Sequence, residues 1–431
     1  MQPIEMPPSI HALGRPEGSW AGNWPTTNTR GFGKLQSVGL FACATMAYSG
    51  SLKEVPPFNL SNADLTLVAT LTAVGIGLLY SILIGSFRVG RAVLTFILFV
   101  AIVAAGSIIA VPTEYGNQKF TRLFIVTLPA VLAVLLILRD NDDAYRFMRM
   151  LFVFGIYQSA FINFNGVRQF GFGRLTTEEG TTISFGRAAG FVVIVSAAWL
   201  ISSQRLTPGK VLLAAAVGGF HLWTLLAIAS KGPILGLGLG VLAVSLLQLR
   251  RLRIQLGLRL LGLLAVLTIA FAMVWVRIPK QSRDRLVAFG DGDGSTDVRK
   301  EAWDYTWQHL DGALIGNGWG SWDVGSPIPI VYPHNIFLEV WFEAGVIALL
   351  ALLAMLVLAF QNQDTIFRSE HFRGTMVVGS LTYWLATALV SGELNDNKTF
   401  LVVLLAATFP LADHHTDHDE PVPIELDRAP V

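Results

Sequence analysis

The sequence predicts an all-α polytopic membrane protein with about twelve transmembrane helices. Of its 431 residues, 53% are hydrophobic and only 14% are charged, which lies outside the range typical of soluble domains. The apolar residues gather into runs, most of which are long enough to cross the ~30 Å hydrocarbon core of a bilayer. One large polar loop separates the ninth run from the tenth.

The apolar runs justify the predicted helices in order. They lie at approximately 35–52, 65–86, 92–111, 121–138, 147–164, 182–202, 211–229, 233–249, 257–276, 335–360, 374–391 and 398–411. The last run is short enough to form only a half-span.

The distribution of lysine and arginine sets the predicted orientation. With the N-terminus in the cytoplasm, the inner loops carry an excess of these residues, as the positive-inside rule requires. The tails 1–34 and 412–431 then lie in the cytoplasm. Helices 1–9 occupy 35–276, the large loop 277–334 lies outside, and helices 10–12 occupy 335–411.

Charge and cysteine content exclude several classes of function. The formal net charge is +1, so bulk charge gives no reason to expect a nucleic-acid partner. The one cysteine, Cys43, allows neither an intrachain disulfide nor a cysteine-based metal site. No aspartate pair near the candidate site has metal-binding spacing. We therefore predict no metal site and no cofactor.

The stretch 332–345 is the most informative part of the chain. Here the polar loop runs into an apolar helix, so His334 can contact water and a lipid-borne substrate at once. Glu339 and Glu343 follow on one face of the helix, four residues apart. A charged residue entering a membrane span is costly and usually serves a site. The alternative is a helix-capping His334-Asn335 pair followed by interfacial polar residues.

A second helix is predicted in the large loop. Arg299, Trp303 and Trp307 recur there at helical spacing and share a face. Such an aromatic face suits the membrane interface or the roof of a cavity. Simple packing explains the tryptophans equally well, but it explains Arg299 on the same face less readily.

Cations on the outward side oppose the insertion bias. Arg122, Arg187, Lys231 and Arg299 are among them. They could reach water by snorkelling, or they could line an anion-binding vestibule, since both residue types bind phosphate through charge-assisted hydrogen bonds. Because several outward segments carry such residues, we favour the vestibule.

Four segments resemble the O-antigen ligase and Wzy polymerase superfamily of bacterial envelopes. The box from His334-Asn335 to Gly345 is similar to the signature HN-x-x-LE-x-x-x-E-x-G. The other segments are Ser230-Lys231-Gly232-Pro233, similar to an S-R-G-[PA] turn; Arg299 and Trp303 followed by 316–320; and the polar turn 391–398. Tyr115-Gly116 with Lys119 and Arg122 also resembles an outward turn of exopolysaccharide members. The resemblance covers approximately residues 60 to 411.

The resemblance implies a metal-independent glycosyltransferase with a GT-C-like fold in the bacterial inner membrane. Such enzymes take a glycan from undecaprenyl diphosphate and transfer it to an acceptor hydroxyl at the periplasmic face. The resemblance assigns the general base to His334 and diphosphate binding to Lys231 and Arg299. Where the family pattern has arginine, Lys231 keeps the charge but loses the bidentate fork.

Further residues complete the predicted site, and the chemistry suits them. The outward cations Arg187 and Arg122 join the candidate donor-binding residues. The supporting residues are Asn335, Glu339, Glu343 and Trp303. A sugar hydroxyl is a poor nucleophile that a base activates, and fixed cations stabilise a diphosphate as it leaves.

Three hypotheses for the function remain. A ligase joins a finished glycan to lipid A–core, whereas a polymerase lengthens O-antigen or exopolysaccharide on its own carrier with the same donor and base. A transporter or flippase belongs to another class, which often shows repeat-related halves and broken helices at the midplane. We see no such repeat, and we favour the ligase.

Overall fold

The computed structural model describes residues 33–60, 64–84, 91–109, 112–168, 174–177, 182–203, 207–249, 268, 271–272, 275–287, 294–310 and 314–409. These residues are almost entirely helical. In the first half the helices are α1 (Gly33–Ala47), α2 (Ser49–Leu52), α3 (Leu65–Ile84), α4 (Arg91–Ile109), α5 (Glu114–Arg122), α6 (Leu128–Ile137), α7 (Asn141–Asn165), α8 (Thr182–Ser202), α9 (Pro208–Ile228) and α10 (Lys231–Leu249).

The second half holds the loop helices and the last long helices. They are α11 (Lys280–Val287), α12 (Gly294–Gln308), α13 (Ser321–Gly325), α14 (Ile336–Ser369), α15 (His371–Ala388) and α16 (Lys398–Ala406). A π-helical stretch, Leu123–Thr127, joins α5 to α6, and a 3-10 turn covers Phe58–Leu60. Two short antiparallel strands, β1 (Val167–Arg168) and β2 (Leu175–Thr176), follow α7.

The prediction of an all-α polytopic membrane protein is confirmed in its main feature. Within the described residues, eight helices are long and apolar enough to cross a membrane: α3, α4, α5 with α6, α7, α8, α9, α10 and α14. Helices α1, α15 and α16 coincide with three more of the apolar runs. The ninth run, 257–276, lies almost entirely outside the described residues, so the count of twelve stays a prediction.

Burial differs strongly among the spanning helices. In α8, 78% of the spanning window is buried, because α7, α9, α10 and α15 surround it. In α4 only 22% is buried, and α4 carries exposed apolar side chains such as Ile108. Water would not tolerate so large an apolar surface, whereas lipid does. Helix α8 is therefore central, and α4 lies at the periphery.

Helix α14 runs from one end of the bundle to the other. Its 34 residues give about 50 Å of helix. We call the end where it begins, with the turn 391–398, the site end. We call the opposite end, where α14 meets α15, the far end.

A break divides α14 near its beginning. Gly345 has φ 82° and ψ 172°, so residues 336–344 form a separate short helical segment. The amides of Asn317 and Gly318 donate to the carbonyls of Phe342 and Glu343 at 2.8 and 3.0 Å. A Cβ on Gly345 would lie 2.2 Å from the carbonyl oxygen of Leu314. Only glycine permits both this backbone conformation and this close approach.

Candidate functional site

His334 lies at the site end in a strained backbone conformation. Its φ is 55°, in the left-handed region, which costs a non-glycine residue about 1–2 kcal/mol. Asn335 follows as the N-cap of α14, and its side chain accepts hydrogen bonds from the amides of Phe337 (3.0 Å) and Leu338 (3.2 Å). The capping function of Asn335 is thus present, but it does not account for His334. Strain of this kind clusters at functional sites.

The imidazole of His334 is neutral at pH 7. Burial first, and then the positive charge of Arg299, lowers the pKa of His334 to about 4. Its Nδ1 is buried and has no hydrogen-bond partner among the described residues. The ring of Tyr332 lies 4.4 Å away between centroids. A neutral imidazole with a vacant nitrogen can accept a proton.

Trp303 holds the loop helix α12 against the histidine segment. Its Nε1 donates to the carbonyl of Pro333 at 2.8 Å, one residue before His334. The inward face of α12 centres on Ala302 and Thr306, while Trp307 is 62% exposed and meets the edge of Trp341. Arg299 is half-buried on α12 and close enough to His334 to affect its pKa. Trp303 therefore contacts the segment before His334, whereas Trp307 is exposed and packs against Trp341.

Glu339 and Glu343 share one buried cation. The Nζ of Lys119, on α5, lies 2.7 Å from Glu339 Oε1 and 2.6 Å from Glu343 Oε2, and all three side chains are fully buried. The ammonium also lies 4.5 Å from the ring centroid of Trp319. Sequence reasoning placed both glutamates on one face and Lys119 on the outward side, but it did not pair them. The signal was available, because two buried carboxylates require a cation.

Arg187 binds the polar turn 391–398 rather than standing free. Its Nη2 donates to the carbonyl of Ser391 at 2.7 Å and to Asn397 Oδ1 at 2.8 Å, and its Nη1 donates to the carbonyl of Asp396 at 3.3 Å. The guanidinium is buried. Arg187 thus organises the turn through three bonds, which leaves it less available to a ligand than the prediction assumed.

Lys231 and Arg122 both lie near this turn. Ala229, with φ 53°, ends α9, and the neighbouring Ser230-Lys231-Gly232-Pro233 turn packs against Gly186 and Ser391. Lys231 is half-exposed at the start of α10. Arg122 is 61% exposed, with its Nη1 3.8 Å from the buried carboxylate of Glu393.

A chain of contacts joins the predicted residues into one region. The amide of Leu394, in the turn that Arg187 binds, donates to both carboxylate oxygens of Glu339 at 3.0 and 3.2 Å. Glu339 lies one helical turn after Asn335. The structure therefore brings His334, Arg299, Arg187 and Lys231 to one end of the bundle, with Arg122 at its rim. Within the described part of the chain, no group of three or more His, Cys, Asp or Glu could hold a metal ion.

A cavity of about 700 Å³ opens at the far end and contains none of these residues. Its lining includes Trp199, Lys210, His371 and Arg373. The length of α14 separates it from His334.

One segment of the chain matches a family of known proteins. Residues 216–353, about a third of the chain, match the family model described as O-Antigen ligase. The matched segment contains Lys231, Arg299, Trp303, His334, Asn335, Glu339 and Glu343, whereas Arg122 and Arg187 lie before it. No curated protein matches the chain. The family match confirms the resemblance to the O-antigen ligase and Wzy superfamily that the sequence motifs predicted.

Proposed function

We propose that the protein is a glycosyltransferase of the O-antigen ligase type. It transfers a glycan from undecaprenyl diphosphate to a hydroxyl of lipid A–core, at the periplasmic face of the bacterial inner membrane. The observation that carries the proposal is the half-buried His334, whose pKa is lowered by burial and by Arg299, inside the segment that matches the family model. We assign no metal and no cofactor to the reaction.

His334 is the proposed general base. The acceptor oxygen attacks the anomeric carbon while His334 takes the hydroxyl proton, and the bond from that carbon to the diphosphate oxygen breaks. Undecaprenyl diphosphate leaves with the bonding electrons. Direct attack from the opposite side inverts the anomeric carbon, so NMR of a new linkage with retained configuration would contradict this step.

Arg299 and Lys231 are the proposed diphosphate ligands. Their fixed charges stabilise the negative charge that develops on the leaving group. Donor binding also acts on the base: an anionic diphosphate beside Arg299 offsets the charge that lowers the pKa of His334. The pKa of His334 then rises from about 4 toward the working pH, where a general base is most effective. Arg187 acts through the turn 391–398, and Arg122 attracts the anionic donor at the rim.

A polymerase of the Wzy type uses the same donor and the same base, and the acceptor is what distinguishes it. The test therefore uses purified protein in lipid vesicles with an undecaprenyl-diphosphate glycan, with and without lipid A–core. His334→Ala serves as the inactive control. Glycan on lipid A–core only in the presence of that acceptor supports the ligase, whereas longer glycan on the carrier supports the polymerase. Donor binding without either product contradicts both the ligase and the polymerase hypotheses and favours the transporter hypothesis.

A further inference from the structure

Three segments at the site end meet at Lys119. Its ammonium bonds Glu339 and Glu343 of α14, and its backbone carbonyl accepts a hydrogen bond from Asn395 Nδ2 at 3.0 Å. Helix α5, the start of α14 and the turn 391–398 are thus joined through one residue.

The short segment 336–344 depends on such anchors. Because α14 is broken at Gly345, the long remainder of the helix does not fix the segment in place. The segment begins two residues after His334. Its described polar anchors include the cap of Asn335, the amides of Asn317 and Gly318, the amide of Leu394 on Glu339, and the ion pairs of Lys119.

The charges of the cluster show which anchor matters most. One ammonium faces two carboxylates in a space with no solvent exposure, and an uncompensated buried charge is very costly. Glu339 accepts bonds from Lys119 and from the amide of Leu394, which favour its ionised form. Glu343 Oε1 has no partner among the described residues. Glu339 therefore joins Lys119 to the turn 391–398.

We propose that Lys119 is a positioning residue for the His334 site, acting through its ion pair with Glu339. This inference rests on the proposed function. The pair holds residues 336–344, and with them the preceding His334, at a fixed distance from the turn 391–398 that Arg187 binds. Without it, residues 336–344 shift as a unit about the break at Gly345, and the base no longer lies within reach of the acceptor hydroxyl. A displacement of about 1 Å costs on the order of 100-fold in rate.

The test compares Lys119→Met, Glu339→Gln and Glu343→Gln in vesicles. Lys119→Met and Glu339→Gln are expected to lower kcat about 10- to 100-fold, with donor KM changed much less, because the diphosphate ligands Lys231 and Arg299 remain. Glu343→Gln is expected to lower kcat less than Glu339→Gln does, because the bond from the amide of Leu394 to Glu339 remains. Equal losses in Glu339→Gln and Glu343→Gln would overturn the assignment.

A matched control separates positioning from general stability. Gln36 is buried at the far end and donates to Asp143 Oδ2 at 2.7 Å, so Gln36→Leu removes a buried polar contact remote from the site. It is expected to lower the unfolding temperature without changing kcat. If kcat falls in Gln36→Leu as it does in Lys119→Met at equal loss of stability, Lys119 is structural only. If Lys119→Met does not fold, the double variant Lys119→Met/Glu339→Gln, which removes both members of the proposed positioning pair, gives the same comparison.

Hydrogen exchange gives a readout that does not need activity. Amides of residues 336–344 are expected to exchange faster in Lys119→Met than in wild type, while Gln36→Leu leaves them unchanged. If the wild-type protein transfers no glycan but Lys119→Met still speeds exchange, Lys119 anchors residues 336–344 and the proposed function is refuted. Unchanged exchange and unchanged kcat in a folded Lys119→Met protein would refute the anchor.

Discussion

The two ends of the bundle each place one cation between two carboxylates, but in opposite environments. At the site end, Lys119 lies between Glu339 and Glu343, and all three side chains are fully buried. At the far end, Arg373 contacts Asp142 and lies 2.7 Å from Glu370, with side chains that are 26 to 34% exposed. The same number of ionisable groups thus lies in two very different environments.

The difference shows where the loss of one charge would destabilise the protein most. Removing one partner from a buried ion pair destabilises a protein by about 3–5 kcal/mol, whereas an exposed pair contributes about 0–1 kcal/mol. A membrane protein could fill the site end with apolar side chains at less risk. The site end thus keeps a fully buried charge cluster in the same region as the strained His334, whereas the cluster at the far end is partly exposed.

The largest expected effect is that of His334→Ala. Loss of the proposed base should slow transfer by about 10²–10⁴-fold, because an unassisted sugar hydroxyl is a poor nucleophile. Donor binding and the unfolding temperature should remain close to wild type. Turnover is measured in vesicles together with donor affinity, and near-normal turnover would exclude His334 as the base.

A second effect distinguishes the charge of Arg299 from its shape. Arg299→Ala should weaken donor binding about 10- to 100-fold, since a hydrogen bond to a charged group contributes about 1.5–3 kcal/mol. Arg299→Lys should weaken it less. Equal and small losses in both variants would make Arg299 a packing residue.

The pH profile of kcat/KM tests the same contact independently. The base must be neutral, so activity falls as the pH drops through the pKa of His334, which is about 4 in the free protein. Arg299→Ala removes one cause of that low pKa, and the acidic limb should therefore move to higher pH. Burial, the larger cause, remains, so the limb should stay below the ordinary histidine value of about 6.5. An unchanged limb would mean that Arg299 does not act on His334.

A third effect concerns the break in α14. Gly345→Ala forces a side chain into a left-handed conformation and against the carbonyl of Leu314, at a cost of about 1–3 kcal/mol. The unfolding temperature should fall, and residues 336–344 should lose their contacts with the preceding loop. Gly238→Ala is the control, because a Cβ there meets no atom within 4 Å. Equal stability of the two variants would contradict a required break.

Sequence predicts the local parts of this site well. Most apolar runs overlap described helices, although α7 begins six residues before its run and α14 ends nine residues after its run, and Asn335 caps α14 as the His-Asn alternative suggested. The same-face spacing of Glu339 and Glu343 is also present, because helical periodicity is a local property.

The long-range parts were not predictable in the same way. The ion pair of Lys119 with Glu343 joins residues 224 positions apart, and Arg187 meets the turn 391–398 more than 200 positions away. Nothing in the local pattern specifies such partners. The break at Gly345 also escaped prediction, since its surroundings read as one continuous apolar helix. The break is explained by the close approach of the Leu314 carbonyl to Gly345, a contact that arises only in the folded protein.

The smallest expected effect belongs to the far end. Arg373→Gln leaves Asp142 and Glu370 partly in contact with water, so the unpaired carboxylates are solvated rather than stranded. Stability should change by about 0–1 kcal/mol, with a smaller change at high salt, and transfer should be unaffected. The measurement pairs unfolding temperature with turnover in the vesicles used for Lys119→Met. A loss of turnover similar to that of Lys119→Met would mean that burial does not separate the two clusters, and that the far end takes part in transfer.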